Sequence, residues 1–145
     1  MRHAHQPAAL RAVIDFFEGI TPGHAARIGE IYADDAWFKD PFNEVTGAEA
    51  IGRIFAHMFV QVREPRFVVH DCVGDAREAF LTWDFVFRRA GGEPMTIRGA
   101  SHLRLDETGR IRWHRDYWDT AEELYARLPV IGAIFRWLRR QGSAR

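Results

Sequence analysis

Only one cysteine, Cys72, occurs in the 145 residues, so no intrachain disulfide can form and no Cys-x-x-Cys motif for metal or redox chemistry is present. A reducing, cytoplasmic setting is expected. Long hydrophobic runs are equally absent. Nothing approaches the roughly 20 apolar residues that a membrane-spanning helix needs, and residues 1–17 lack the continuous apolar stretch of a signal peptide. Neither secretion nor stable membrane insertion is expected. An excess of one charge is missing too: Lys plus Arg and Asp plus Glu each number 20, which removes the long-range attraction that nucleic-acid binding draws on. There is no internal repeat, low-complexity tract or linker, so residues 1–145 are expected to form a single domain.

What is present is apolar bulk, with 47% hydrophobic and 13% aromatic residues, enough for a real core. From Ala8 to Ile20, Leu10, Val13, Ile14 and Phe17 recur at helical spacing until Thr21-Pro22-Gly23 interrupts them. A second helix is expected to start with Thr21 as its N-cap and Pro22 in its first turn. It would place Ala25, Ile28, Ile31 and Tyr32 on one face and close at Ala33-Asp34-Asp35. Thr46-Gly47-Ala48-Glu49 has capping-box spacing and opens a third helix with Ile51, Ile54, Phe55, Met58, Phe59 and Val62 as its stripe, ended by Pro65.

Beyond Pro65 the period becomes alternating, predicting strands at Arg66–Val73, Glu78–Arg88, Met95–Leu105 and Arg110–Trp118. Their short, Gly-rich connections make neighbours antiparallel. Leu81, Trp83, Phe85 and Phe87 share one strand face. Helices first and strands afterwards define an α+β domain.

The segment Tyr32-Ala33-Asp34-Asp35-Ala36-Trp37-Phe38-Lys39-Asp40-Pro41 resembles the ketosteroid isomerases, in which the same pattern ends on the catalytic carboxylate. Arg104 through Ile111, followed by Tyr117-Trp118, is similar to the last hairpin of those enzymes. His114-Arg115-Asp116 resembles the His-x-Asp motif of the SnoaL-like polyketide cyclases, whose Asp is a general acid and base. The resemblance implies the nuclear-transport-factor-like fold: a cone-shaped roll with N-terminal helices packed on a curved mixed or antiparallel sheet around one small-molecule pocket. It also implies a homodimer and no cofactor.

Carried over residue by residue, the resemblance makes Asp40 a general base, Asp116 a proton donor and His114 the group that orients it. Against this, Asp-Pro is a common turn dipeptide, and His114 and Asp116, which share a strand face, also suit a purely structural hydrogen bond. The expected substrate wall comprises Phe16, Tyr32, Trp83, Phe85, Ser101 and Trp118, although an aromatic stripe on alternating positions also describes plain core. His57 and His102 are read as ordinary interior or interface histidines. No cluster has metal-ligand spacing, so no metal is expected.

Residues 119–140 read as a C-terminal helical extension that starts at Asp119 as N-cap, breaks at Pro129 and resumes with an apolar face and Arg136, Arg139 and Arg140. It suits a lid or dimer element, or a membrane-surface helix. The leading functional expectation is a cofactor-independent acid-base enzyme of isomerase, cyclase or hydratase type, acting on an apolar carbonyl-bearing molecule. The alternatives are a non-catalytic ligand-binding or dimeric interaction module and a membrane-surface accessory protein.

A negative prediction follows for steroids. The two oxyanion donors of ketosteroid isomerases correspond to Phe16, which offers no donor, and Ser101, a weaker one than a phenol or neutral acid. Loss of one such donor costs on the order of 100- to 1000-fold in rate. Negligible isomerisation of a β,γ-unsaturated ketosteroid is therefore expected in a spectrophotometric assay, and robust turnover would show the alignment to be out of register.

Overall fold

The computed structural model describes residues 2–89, 91–123, 134, 137, 138 and 140–142. Its elements, in chain order, are α1 (Ala8–Glu18), α2 (Pro22–Ala25), a 3-10 turn (Ile28–Glu30), β1 (Tyr32–Lys39), β2 (Glu44–Thr46) and α3 (Ala48–Gln61). They continue with β3 (Arg63–Gly74), β4 (Glu78–Arg88), β5 (Pro94–Leu105), β6 (Ile111–Tyr117) and α4 (Thr120–Glu123). The six strands form one sheet in the order β2-β1-β6-β5-β4-β3. Only the β1–β6 pair is parallel. The register shifts in β3, at the start of β1 and near Arg104 are bulges that bend a sheet out of plane. The result is the mixed, curved α+β sheet that the sequence led us to expect.

The core lies between the sheet and the helices. Leu10, Val13, Ile14 and Phe17 of α1 and Ile51 and Phe55 of α3 are buried with Phe38, Val69, Leu81, Leu103, Leu105 and Ile111 of the strands. Gly52 lets α3 approach closely, because a Cβ there would stand 3.1 Å from the Ile28 side chain.

Two expected helix signals resolve differently. The second helix does not reach Asp35: it stops at Ala25, a 3-10 turn follows, and Tyr32–Lys39 is strand. Ala25, Ile28 and Tyr32 are indeed buried, so the apolar spacing marked core positions correctly. The backbone instead follows β6, to which Ile31 and Tyr32 are tied by the Ile111 N–H donating to the Ile31 carbonyl at 2.7 Å and by Tyr32–Ile111 pairing. Tertiary strand pairing overrides local helix preference here. The Thr46 capping box also does not form. Thr46 ends β2, and Gly47, at φ 109°, occupies the N-cap without any side-chain hydrogen bond. The N-cap at Thr21 forms as expected, with His24 N donating to its hydroxyl. Pro65 lies within β3, in the first bulge of that strand, where its missing N–H costs no ladder bond.

Two further features hold the sheet in place. The β5–β6 turn is built on Asp106, whose Oδ1 accepts from Thr108 N, Thr108 Oγ1 and Arg110 N, and Gly109 takes φ 86°. These bonds, that of the Thr108 hydroxyl foremost, hold the Asp106 carboxyl below its ordinary pKa. At the other end, β3 is a sheet edge covered by the N-terminal residues. Arg2 and His3 reach the Val69 carbonyl, Gln6 donates to the Cys72 carbonyl at 2.7 Å, and Glu18 accepts from Val69 N at 2.9 Å.

The expected C-terminal extension falls largely outside the described residues. Its start is seen: Asp119 accepts from Glu122 N, and buried Glu123 pairs with Arg98 at 2.9 Å. No helix among the described residues is long and apolar enough to cross a membrane.

Bare edge strands recruit other chains. Deleting residues 2–6 is expected to lower Tm by several degrees and to increase light scattering on heating. An unchanged melting curve would show that this covering does not protect the edge.

Candidate functional site

Four strands deliver polar side chains to one buried line. Cross-strand register sets Ser101 of β5 opposite Asp116 of β6, and β1 places Phe38 beside His114. As strand alternation requires, His114 and Asp116 both point inward, whereas Trp113 stacks on Trp37 outside. Trp83 of β4 reaches the line because it pairs with Gly99. A Cβ on Gly99 would lie 2.4 Å from the indole ring, so only glycine lets Trp83 lie flat there.

The bonds form one chain. The Trp83 indole N–H donates to Ser101 Oγ at 2.8 Å, and Ser101 Oγ lies 2.5 Å from Asp116 Oδ1. Because the indole is only a donor, Ser101 must turn its own proton to the carboxylate. His114 Nε2 stands 2.6 Å from the same Oδ1, and Tyr32 Oη stands 2.6 Å from His114 Nδ1. Tyr32 is fully buried, so its hydroxyl proton needs an acceptor, and His114 Nδ1 supplies one when Nε2 carries the ring proton. Burial, assisted by the charge of Asp116, pushes the Tyr32 phenol well above its ordinary pKa and keeps it a donor. Phe17 and Phe38 pack edge-on against His114, which is 3% exposed. Asp116 Oδ2 has no hydrogen-bond partner among the described residues.

Asp116 borders a cavity of about 620 Å³ lined by Phe38, Phe55, Phe67, Trp83, Phe85 and Trp118 among others, a size suited to a small organic ligand. It also borders an open cleft of about 480 Å³ lined by Lys39, Asp40, Pro41, Arg115, Tyr117, Trp118 and Asp119. A void of about 30 Å³ lies between Asp116, Ser101, His114 and the apolar core.

Of the expected site residues, His114, Asp116 and Ser101 come together directly. Asp40 lines both larger cavities, but its carboxylate holds a turn. Its Oδ1 accepts from Phe42 N, Asn43 N and Asn43 Nδ2 at 2.8, 2.7 and 3.1 Å. Trp83, Phe85 and Trp118 stand on the cavity wall. Phe16 and Tyr32, expected there too, are set back: Phe16 packs edge-on to Phe17 and His24, and Tyr32 lies behind His114. His102 stacks on Phe80 and pairs with Glu78 on the outer face.

The sequence reading missed the Tyr32–His114 bond, because it put Tyr32 on a helix. It also missed Gly99, and a polar row of Arg53, His57 and Gln61 along the cavity side of α3, which four-residue spacing alone signals. Among the described residues no group of His, Cys, Asp and Glu could hold a metal.

A bent mixed sheet packed with helices carries Asp116 of a His-x-Asp pair to the wall of an aromatic cavity, with His114 buried behind it. The family model of the SnoaL-like domain matches residues 13–114, more than half of the chain, and the protein belongs to that family. No curated protein matches it. Among solved structures it is similar to a protein with the ketosteroid isomerase-like fold from Catenulispora acidiphila DSM 44928, in complex with trimethylamine. That match has TM-score 0.69 and 18% identity and covers 82% of this chain and 91% of the other. A protein from Jannaschia sp. CCS1 described as a SnoaL-like polyketide cyclase matches with TM-score 0.68 and 16% identity, over 79% and 87%. An LEH-like epoxide hydrolase of M. tuberculosis matches with TM-score 0.68 and 17% identity, over 90% and 96%. At these identities the likeness establishes the nuclear-transport-factor-like fold.

Replacing Tyr32 with Phe leaves the buried His114 Nδ1 without its donor, which costs about 1–3 kcal/mol. Tyr32→Phe is expected to lose that much stability in urea unfolding and to shift the His114 ring nitrogens in NMR spectra. If neither changes, the tautomer assignment falls.

Proposed function

We propose that this protein is a cofactor-independent acid-base enzyme that moves a proton next to a carbonyl, or an equivalent polar centre, of an apolar small molecule. The observation that carries the reading is the asymmetry of Asp116. One oxygen is fixed by Ser101 and His114, while the carboxylate borders an aromatic cavity and its second oxygen lacks a protein partner among the described residues. A carboxylate fixed in this way is oriented for proton transfer before substrate arrives.

In the proposed step Asp116 Oδ2 takes a proton from the carbon beside the carbonyl. The C–H electron pair moves toward the carbonyl oxygen, and the same proton returns to another atom of the substrate. Ser101 and His114 keep their hydrogen bonds to Oδ1 and prevent the carboxylate from rotating. The open cleft that Asp116 also borders gives solvent a route for proton exchange. Asp40 takes the supporting role: it shapes the turn at the cavity wall and adds negative charge there. Family membership supports this reading, and the cyclase and epoxide hydrolase descriptions of its fold neighbours both belong to chemistry that a positioned proton donor and acceptor serves.

The test is a screen of carbonyl and epoxide substrates followed by paired variants. Asp116→Asn is expected to reduce turnover by about 100-fold or more with the fold intact. Asp40→Asn, which keeps an acceptor oxygen for the turn, is expected to cost much less. Full activity of Asp116→Asn would overturn the assignment and favour a ligand-binding module.

A further inference from the structure

The cavity-facing side of α3 carries two parallel rows at four-residue spacing. Ala50, Ile54 and Met58 form an apolar row and Arg53, His57 and Gln61 a polar one, and both line the same cavity. The first row is half-buried and the second exposed, so the boundary between the cavity interior and solvent runs along the helix. Asp116 lies far on the inner side of that boundary: its side chain is 18% exposed, against 69% for Arg53.

On the exposed row of α3 the one charged side chain is Arg53. Among the described residues lining the cavity, Arg53 is the one Lys or Arg, and the acids there are Asp116 and the turn-bound Asp40. Arg53 is held only loosely. Its ion pair with Glu49 spans 3.4 Å, Glu49 is 93% exposed, and such surface pairs contribute about 0–1 kcal/mol. The guanidinium is therefore available to a ligand. Its planar fork matches a carboxylate, and His57, one helical turn away, adds a second nitrogen donor or acceptor.

We infer that the natural ligand is an amphiphilic carboxylate, with an apolar body against the aromatic wall, its reacting end at Asp116 and its carboxylate at Arg53. The inference rests on the reading of this cavity as the small-molecule site. A carboxylate at the rim keeps its hydration on one side, whereas one placed beside Asp116 would meet a like charge in apolar surroundings. Two-point anchoring of this kind also fixes which carbon lies against Asp116.

The experiment is isothermal titration calorimetry of the full chain at low salt with naphthylacetate, naphthylacetamide and naphthylethylammonium. Naphthylacetate is expected to bind about tenfold more tightly than the amide, with the ammonium weakest, as one charge-assisted contact provides. Arg53→Gln should bring acid and amide level without changing amide affinity, and Arg53→Lys should restore part of the preference. Asp116→Asn should leave the preference in place. An amide that binds as well as the acid, or a preference that survives in Arg53→Gln, overturns the inference. If that happens while Asp116→Asn still abolishes turnover, the proposed function stands and only the carboxylate assignment fails. Absence of binding by all three probes would remove the cavity reading and this inference together.

Discussion

Hydrogen bonds that begin on β1 and β4 meet at one oxygen of Asp116, on β6, after passing through His114 and Ser101. The bonds on both sides run toward the carboxylate, because an indole can only donate and a buried phenol must. This transverse tie joins four of the six strands through side chains, in addition to the backbone ladder that joins them in sequence. It also requires the β1–β6 parallel pair, since without β1 in that place Tyr32 could not reach His114. Shape, register and site chemistry therefore depend on a common set of contacts.

The aromatic shell gives those contacts their strength. Phe17, Phe38 and Phe55 surround the Tyr32–His114 segment, and hydrogen bonds in such low-dielectric surroundings are stronger than in water. The same shell continues outward as the cavity wall through Phe67 and Phe85, whose rings stack 4.7 Å apart. Rigidity behind Asp116 and apolar room in front of it thus come from one continuous set of rings.

Strand alternation made much of this legible in the sequence. It placed His114, Asp116 and Trp118 on one strand face and Trp83 with Phe85 on another, because a period of two fixes which residues share a face wherever strands are regular, and the family resemblance made the His114 face the inward one. The helical residues of α1 and α3 were legible for the same reason. What failed were places where one periodicity served a different backbone. Ala25, Ile28 and Tyr32 mark core positions in helical spacing, but pairing with β6 converts the last of them into strand. Asp40 shows another limit. A pattern can locate a carboxylate on the cavity wall, yet its bonds to Phe42 and Asn43 depend on a turn geometry that no spacing specifies. Gly99 was silent because its importance lies in the ring that crosses it.

The Asp106–Arg110 turn has a consequence for how this chain can vary in length. Its five-residue connection fixes which residue of β6 stands opposite Ser101, and side chains alternate between faces with every residue. One added residue there, if absorbed by sliding β6, would turn His114 and Asp116 outward and bring Trp113, Arg115 and Tyr117 into the interior. Insertions in that turn are thus restricted to those that the loop itself can bulge out, and the register of β4 on β5, which sets Trp83 opposite Gly99, imposes the same restriction between those two strands. Length variation in descendants of this chain should therefore appear as loops that bulge outward rather than as strands that slide.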